Sequence, residues 1–80
     1  MACMNPDGTL TVISRRVLTL LAAPHTAAEL AAATGLPLYR VRATLRETGR
    51  ARLVETVGGS DDGAHQLTAL GRDALDLDAA

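Results

Sequence analysis

The sequence predicts a small, mainly helical domain that carries one two-stranded hairpin. Three observations lead there. Apolar residues recur at helical spacing from Ile13 to Thr48. The spacing then shortens to alternation between Leu53 and Thr68, around a turn rich in glycine. The apolar content is aliphatic, with fifteen Ala and thirteen Leu against one aromatic, Tyr39, which suits packed helices better than a large sheet. Eighty residues allow a single domain. A chain of that size buries only ~60% of the surface its unfolded form exposes, so the core is thin.

Residues 1–10 read as a flexible lead, with Asn5-Pro6-Asp7-Gly8 as a turn cluster and a short extended piece at Thr9–Val12. Residues 11–77 form the domain. In the first helix Ile13, Val17, Leu20 and Leu21 share a face with Leu18 beside them, and Arg15, Arg16 and Thr19 fill the other. Pro24 stops this helix after Ala22-Ala23. Thr26 and Glu29 form a capping box for the second helix, whose body, Ala27–Ala33, is nearly all Ala, the best helix former. Gly35 supplies the positive φ that ends it. The third helix spans 37–50, with Pro37 in its first turn. Val41 and Leu45 face the core, with Thr48 near the same line. At ~100° per residue Tyr39, Ala43, Arg46 and Arg50 fall opposite Val41, and Arg40 and Arg42 flank them. Leu53–Val57 and Ala64–Thr68 make the hairpin, with an acidic tip at Asp61 and Asp62. Thr68 caps a short last helix, Ala69–Leu77, with Leu70, Ala74 and Leu77 on its apolar line, and the tail 78–80 frays.

The net charge is −1, so no overall excess points to nucleic acid, but the charge is unevenly spread. Residues 36–54 carry Arg40, Arg42, Arg46, Arg50 and Arg52 against Glu47, whereas residues 55–80 carry Arg72 against six acidic residues. Every basic residue is Arg, a planar fork able to bind phosphate or guanine through two bonds. No apolar run approaches the ~20 residues that cross a bilayer. The polar start carries no basic cluster, so no signal peptide is expected. Cys3 stands alone and forms neither an internal disulfide nor a zinc site. These features predict a cytoplasmic protein without membrane contact.

The order helix, helix, tight turn, helix, hairpin, helix carries two sequence motifs. Ala31, Gly35 and Val41 have the spacing of a helix-turn-helix, with Leu30 and Leu36 in its apolar places. Ala31 lets the helices approach, Gly35 turns the chain, and Val41 locks the third helix on the second. Leu67-Thr68-x-x-Gly71-x-x-x-Leu75 follows the hairpin. From Ile13 to Leu77 the chain resembles a winged helix-turn-helix domain of the bacterial MarR, ArsR and PadR kind: a three-helix core, a two-stranded wing and a short C-terminal helix. Three places depart from that pattern. Arg52 takes a reversal position where many such domains have glycine. Thr48 stands where a large apolar residue usually packs, which predicts a thin or frayed end to the third helix. The wing tip is acidic where DNA-reading wings carry Arg or Lys.

The resemblance implies a transcription regulator that binds double-stranded DNA, with the third helix in the major groove. The residues implicated are Leu38, Tyr39, Arg40, Arg42, Ala43, Arg46, Arg50 and Arg52. Arg42 and Arg46, one turn apart, suit guanine edges. Arg40, Arg50 and Arg52 suit phosphates. The alternative is a winged helix used for protein contact, on a polymerase, a partner regulator or a secretion component, without sequence-specific DNA binding and with the acidic wing as the contact surface. Such regulators act as homodimers; here a dimer would have to use the N-terminal segment or the first or last helix. No catalytic constellation is expected: His25 and His65 read as ordinary surface histidines, and no Ser or Cys has a local base. No cofactor or metal is called for, since no Cys and His cluster exists.

Overall fold

The computed structural model describes residues 4–6, 8–59 and 63–79. Cys3 and the wing-tip residues Asp61 and Asp62 lie outside them. The described elements are α1 (Val12–Leu20), α2 (Ala27–Thr34), α3 (Leu38–Arg50), β1 (Val54–Thr56), a 3-10 turn at Val57–Gly59, β2 (His65–Leu67) and α4 (Ala69–Ala79). The predicted fold class is what the chain adopts.

α1 starts at Val12 because Thr11 caps it: the hydroxyl accepts the Ser14 N–H at 3.2 Å. It ends at Leu20, short of the expected Ala22-Ala23. The cause lies across the molecule. The Leu21 carbonyl accepts the Leu67 N–H at 3.0 Å, and His25 exchanges both backbone hydrogen bonds with His65. Residues 21–25 are thus drawn alongside β2, and the helix stops before Pro24. α2 has its capping box, with Glu29 accepting the Thr26 N–H at 2.8 Å and Thr26 accepting the Glu29 N–H at 3.1 Å. These bonds, the backbone one foremost, hold the Glu29 carboxyl below its usual range. Gly35 closes the helix with φ 74°. Pro37 stands one position outside α3, as its cap, and the helix begins at Leu38.

The core joins Leu10, Val17, Leu18, Leu21, Leu30, Val41, Leu45, Leu53, Val54 and Leu67. Leu10, read from sequence as part of a loose lead, is buried; its segment folds back through a bridge to Met4. Thr48 corrects the expected frayed end. It is fully buried, and its hydroxyl donates to the Thr44 carbonyl at 2.8 Å, so the helix absorbs the polar group itself and continues to Arg50.

The wing is an antiparallel pair with Val54 opposite Leu67, Glu55 opposite Gln66 and Thr56 opposite His65. Each strand is three residues long, shorter than expected. Alternation turns His65 and Leu67 inward and Gln66 outward. His65 is therefore buried, not on the surface as expected, and its Nε2 has no hydrogen-bond partner among the described residues. His25 is half-buried, its Nδ1 2.9 Å from the Ala23 carbonyl oxygen.

α4 is rotated from its expected setting. Leu70 and Leu77 are exposed, while Gly71 is buried and Ala74 and Leu75 pack against the core. Gly71 sets this rotation, because a Cβ there would lie 2.1 Å from the Leu53 carbonyl oxygen. The helix also continues past Leu77. The Asp78 carboxylate accepts the Leu10 N–H at 3.1 Å and pairs with Arg15, joining both ends of the chain to α1.

Candidate nucleic-acid interface

α3 owes its outward face to its apolar spacing. Val41, Leu45 and Thr48 anchor one side, so every third and fourth residue opposite them must meet solvent. Tyr39 is 71% exposed and Leu38 is 39% exposed, at the helix start. Arg42, Arg46 and Arg50 are exposed along the body, while Arg40 and Ala43 are half-buried. Arg52 is exposed just beyond the helix end.

Between α3 and the wing runs a groove of about 490 Å³. Arg42, Arg46 and Arg50 line it on the helix side, and Glu55 and Thr56 on the wing side. Leu45, Val54 and His65, all buried, and the half-buried Ala27 of α2 are the apolar and aromatic part of its lining. The structure thus brings together three of the eight implicated residues on one groove. Leu38, Tyr39, Arg40, Ala43 and Arg52 are not among its lining.

The two arginines of α1 and the five of the third-helix segment differ in their partners. Arg15 bonds Asp78 through Nε at 2.7 Å, and Arg16 donates to the Thr34 carbonyl at 2.8 Å. Among the described residues, no ion pair engages Arg40, Arg42, Arg46, Arg50 or Arg52. Glu55 lines the same groove but accepts the Gln66 side-chain N–H at 2.8 Å. Five guanidinium groups of the third-helix segment are therefore left with unused donors in water, where they meet an incoming anion without first breaking a bond.

Sequence reasoning missed Glu55 as part of the groove. Its place on the first strand was readable, but the approach of that strand to Arg50 depends on the turn at Arg52. Arg16 was also missed as a structural donor; its acceptor is eighteen residues away, and no local pattern marks it.

Arg52 has φ 63°, the left-handed region. Its N–H bonds the Gly49 carbonyl at 3.0 Å and the Leu53 N–H bonds the Thr48 carbonyl at 2.9 Å, the double closure of a Schellman turn. The Thr68 hydroxyl then donates to the Arg52 carbonyl at 2.6 Å and accepts the Gly71 N–H at 3.0 Å. This is the physical content of the Leu-Thr-x-x-Gly stretch. Thr68 ties the α3–wing turn to α4, and Gly71 lets α4 lie on it.

No family model matches the chain, and no curated protein matches it. Two solved structures share its architecture. BpsR of Bordetella bronchiseptica, whose DNA binding is regulated by 6-hydroxynicotinic acid, superposes with a TM-score of 0.73 at 22% identity, over 90% of this chain and 55% of that one. A mutant of ZitR from Lactococcus lactis superposes with a TM-score of 0.70 at 19% identity, over 99% of this chain and 55% of that one. The likeness establishes the winged helix-turn-helix fold. The chain spans about half the length of each of these proteins. Among the described residues no helix is long and apolar enough to cross a membrane.

Proposed function

We propose that this chain is the DNA-binding module of a transcription regulator, not an enzyme, with α3 entering the major groove and the wing flanking it. The observation that carries the reading is the row of Arg42, Arg46 and Arg50 along one groove, without an acidic partner among the described residues. Arg42 and Arg46 take guanine edges. Arg50, nearer the wing, takes a phosphate, as do Arg40 and Arg52. The fold shared with BpsR, a protein that binds DNA, agrees with this role.

Two copies on a pseudo-palindromic site would suit the reading. Exposed apolar side chains lie on the segments available for pairing: Met4 in the lead, Val12 on α1, and Leu70 and Leu77 on α4. The second reading, a protein-contact module, draws on Glu55, which puts a carboxylate on the groove, and on the acidic tip.

Salt dependence separates the two. On duplex DNA, three to five phosphate contacts per protomer give a log–log slope of roughly −3 to −5. Affinity that stays constant from low to moderate salt would sink the DNA reading. Arg46→Ala is expected to cost ~1–3 kcal/mol on the preferred duplex and to relax preference at one base pair. Arg50→Ala weakens all duplexes alike.

A further inference from the structure

We infer that Arg16, on α1 and outside the lining of the groove, is a positioning residue for α3. This rests on the DNA reading above. The α2–α3 link is Gly35-Leu36-Pro37, and it fixes the angle at which α3 is presented. Its local bonds are few. The Gly35 N–H bonds the Ala31 carbonyl at 2.9 Å. The Leu36 N–H reaches the Thr34 hydroxyl at 3.3 Å, and that hydroxyl donates to the Leu30 carbonyl at 2.7 Å. Pro37 has no N–H to contribute.

The last carbonyls of a helix lack intrahelical partners. Arg16 Nη2 supplies one, donating to the Thr34 carbonyl oxygen at 2.8 Å. The Pro37 carbonyl accepts the Arg40 and Val41 N–H groups of α3 at 3.0 and 3.2 Å, so among the described residues the Arg16 bond is the one that ties residues 34–37 to an element other than the two helices they join. Its charge also opposes the negative end of the α2 dipole. Arg16 thus pins the turn to α1, the helix that packs behind both α2 and α3. Base edges demand that α3 sit at one angle and register, whereas phosphate contacts by long Arg side chains tolerate small shifts. A loosened turn should therefore harm sequence preference before it harms general affinity.

The test compares wild type, Arg16→Ala and Arg16→Lys on the selected duplex and on random duplex, with folding checked by circular dichroism. Arg16→Ala should lose about fivefold or more on the selected duplex. Its affinity for random duplex should stay within about twofold, and its salt slope should stay unchanged. Arg16→Lys, which keeps the charge and the donors of one nitrogen, should restore most of the loss. A slope that falls by about 0.9 would show Arg16 to be a phosphate contact and overturn the inference. Equal losses on both duplexes, or none, would overturn it too. Amide exchange in the free protein gives an arm that needs no DNA. The Leu36 N–H should exchange faster in Arg16→Ala and recover in Arg16→Lys; an unchanged rate overturns the inference. Failure of the wild type to bind any duplex would instead sink the DNA reading and leave this arm standing.

Discussion

Two helices of this domain end the same way with different residues. α2 closes on Gly35 with φ 74°, and α3 closes on Arg52 with φ 63°. For a residue with a Cβ, the left-handed conformation costs roughly 1–2 kcal/mol. Gly35 avoids that cost. Arg52 bears it and is held in place by the Schellman bonds and by the Thr68 hydroxyl. The difference teaches where each turn gets its definition. The bend of the α2–α3 turn is written into its own glycine, with Arg16 holding the end of α2 against α1. The α3–wing turn is imposed by residues sixteen to nineteen positions later, at the start of α4.

The sharpest way to break the imposed turn is Gly71→Ala. The added Cβ would stand 2.1 Å from the Leu53 carbonyl oxygen and 3.0 Å from Leu67 Cδ2. The first of these is backbone, so α4 must move bodily or the turn must open. A loss of about 3 kcal/mol or more is expected, read by urea unfolding. In a domain of marginal stability that is a large share of the total. A loss under about 1 kcal/mol would show that α4 is free to shift, and that the turn does not depend on it.

Thr68→Ala tests the same tie more gently. It removes the bond to the Arg52 carbonyl and the cap on the Gly71 N–H together. About 1–2 kcal/mol should be lost, and amide exchange should quicken at Leu53 and Gly71 ahead of the α2 amides. Equal quickening at Gly35 would mean that the two turns are not independent.

This contrast also explains what was legible in the sequence. Capping by Thr26 and Glu29, closure at Gly35, and the buried line Val41–Leu45–Thr48 are local patterns, and each could be read from residues within a turn or two. The setting of α4 was not local. Leu70, Ala74 and Leu77 form an acceptable apolar line, yet Gly71, Ala74, Leu75 and Asp78 face inward, because close approach at Leu53 outweighs burying two leucines. His65 was misplaced for a similar reason. Strand alternation turns it to the same side as Leu67, but the segment laid along β2 on that strand's other edge, through the bridge to His25, comes from forty residues earlier. At the candidate interface the outward Arg residues followed from the helical period. Which arginines stay unpaired did not, since the partners of Arg15 and Arg16 lie sixty-three and eighteen residues away.

Gly35→Ala sharpens the comparison from the other side. An added Cβ there meets nothing within 4 Å, so any cost is conformational and not steric. The expected loss is about 1 kcal/mol, with the fold intact. A loss of several kcal/mol would require a clash that the geometry does not show.

Arg52→Gly has the smallest effect and sets stability against binding. Glycine relieves the left-handed cost of roughly 1–2 kcal/mol, but it also enlarges the entropy of the unfolded chain, which takes back about 0.4–1 kcal/mol. A net gain of about 0.5 kcal/mol is expected, seen as a slightly higher urea midpoint with an unchanged slope. The Schellman bonds and the Thr68 bond use only backbone atoms of residue 52, so they survive the change. What disappears is an exposed guanidinium at the root of the wing. If that group meets a phosphate, DNA affinity should fall for every sequence alike, and the salt slope should shrink by about 0.9. The combination of a more stable protein and a weaker binder would explain why a strained arginine stands where glycine would serve the fold better. A variant that is more stable and binds DNA with undiminished affinity would show that Arg52 contributes nothing to the interface, leaving Arg40, Arg42, Arg46 and Arg50 to carry it.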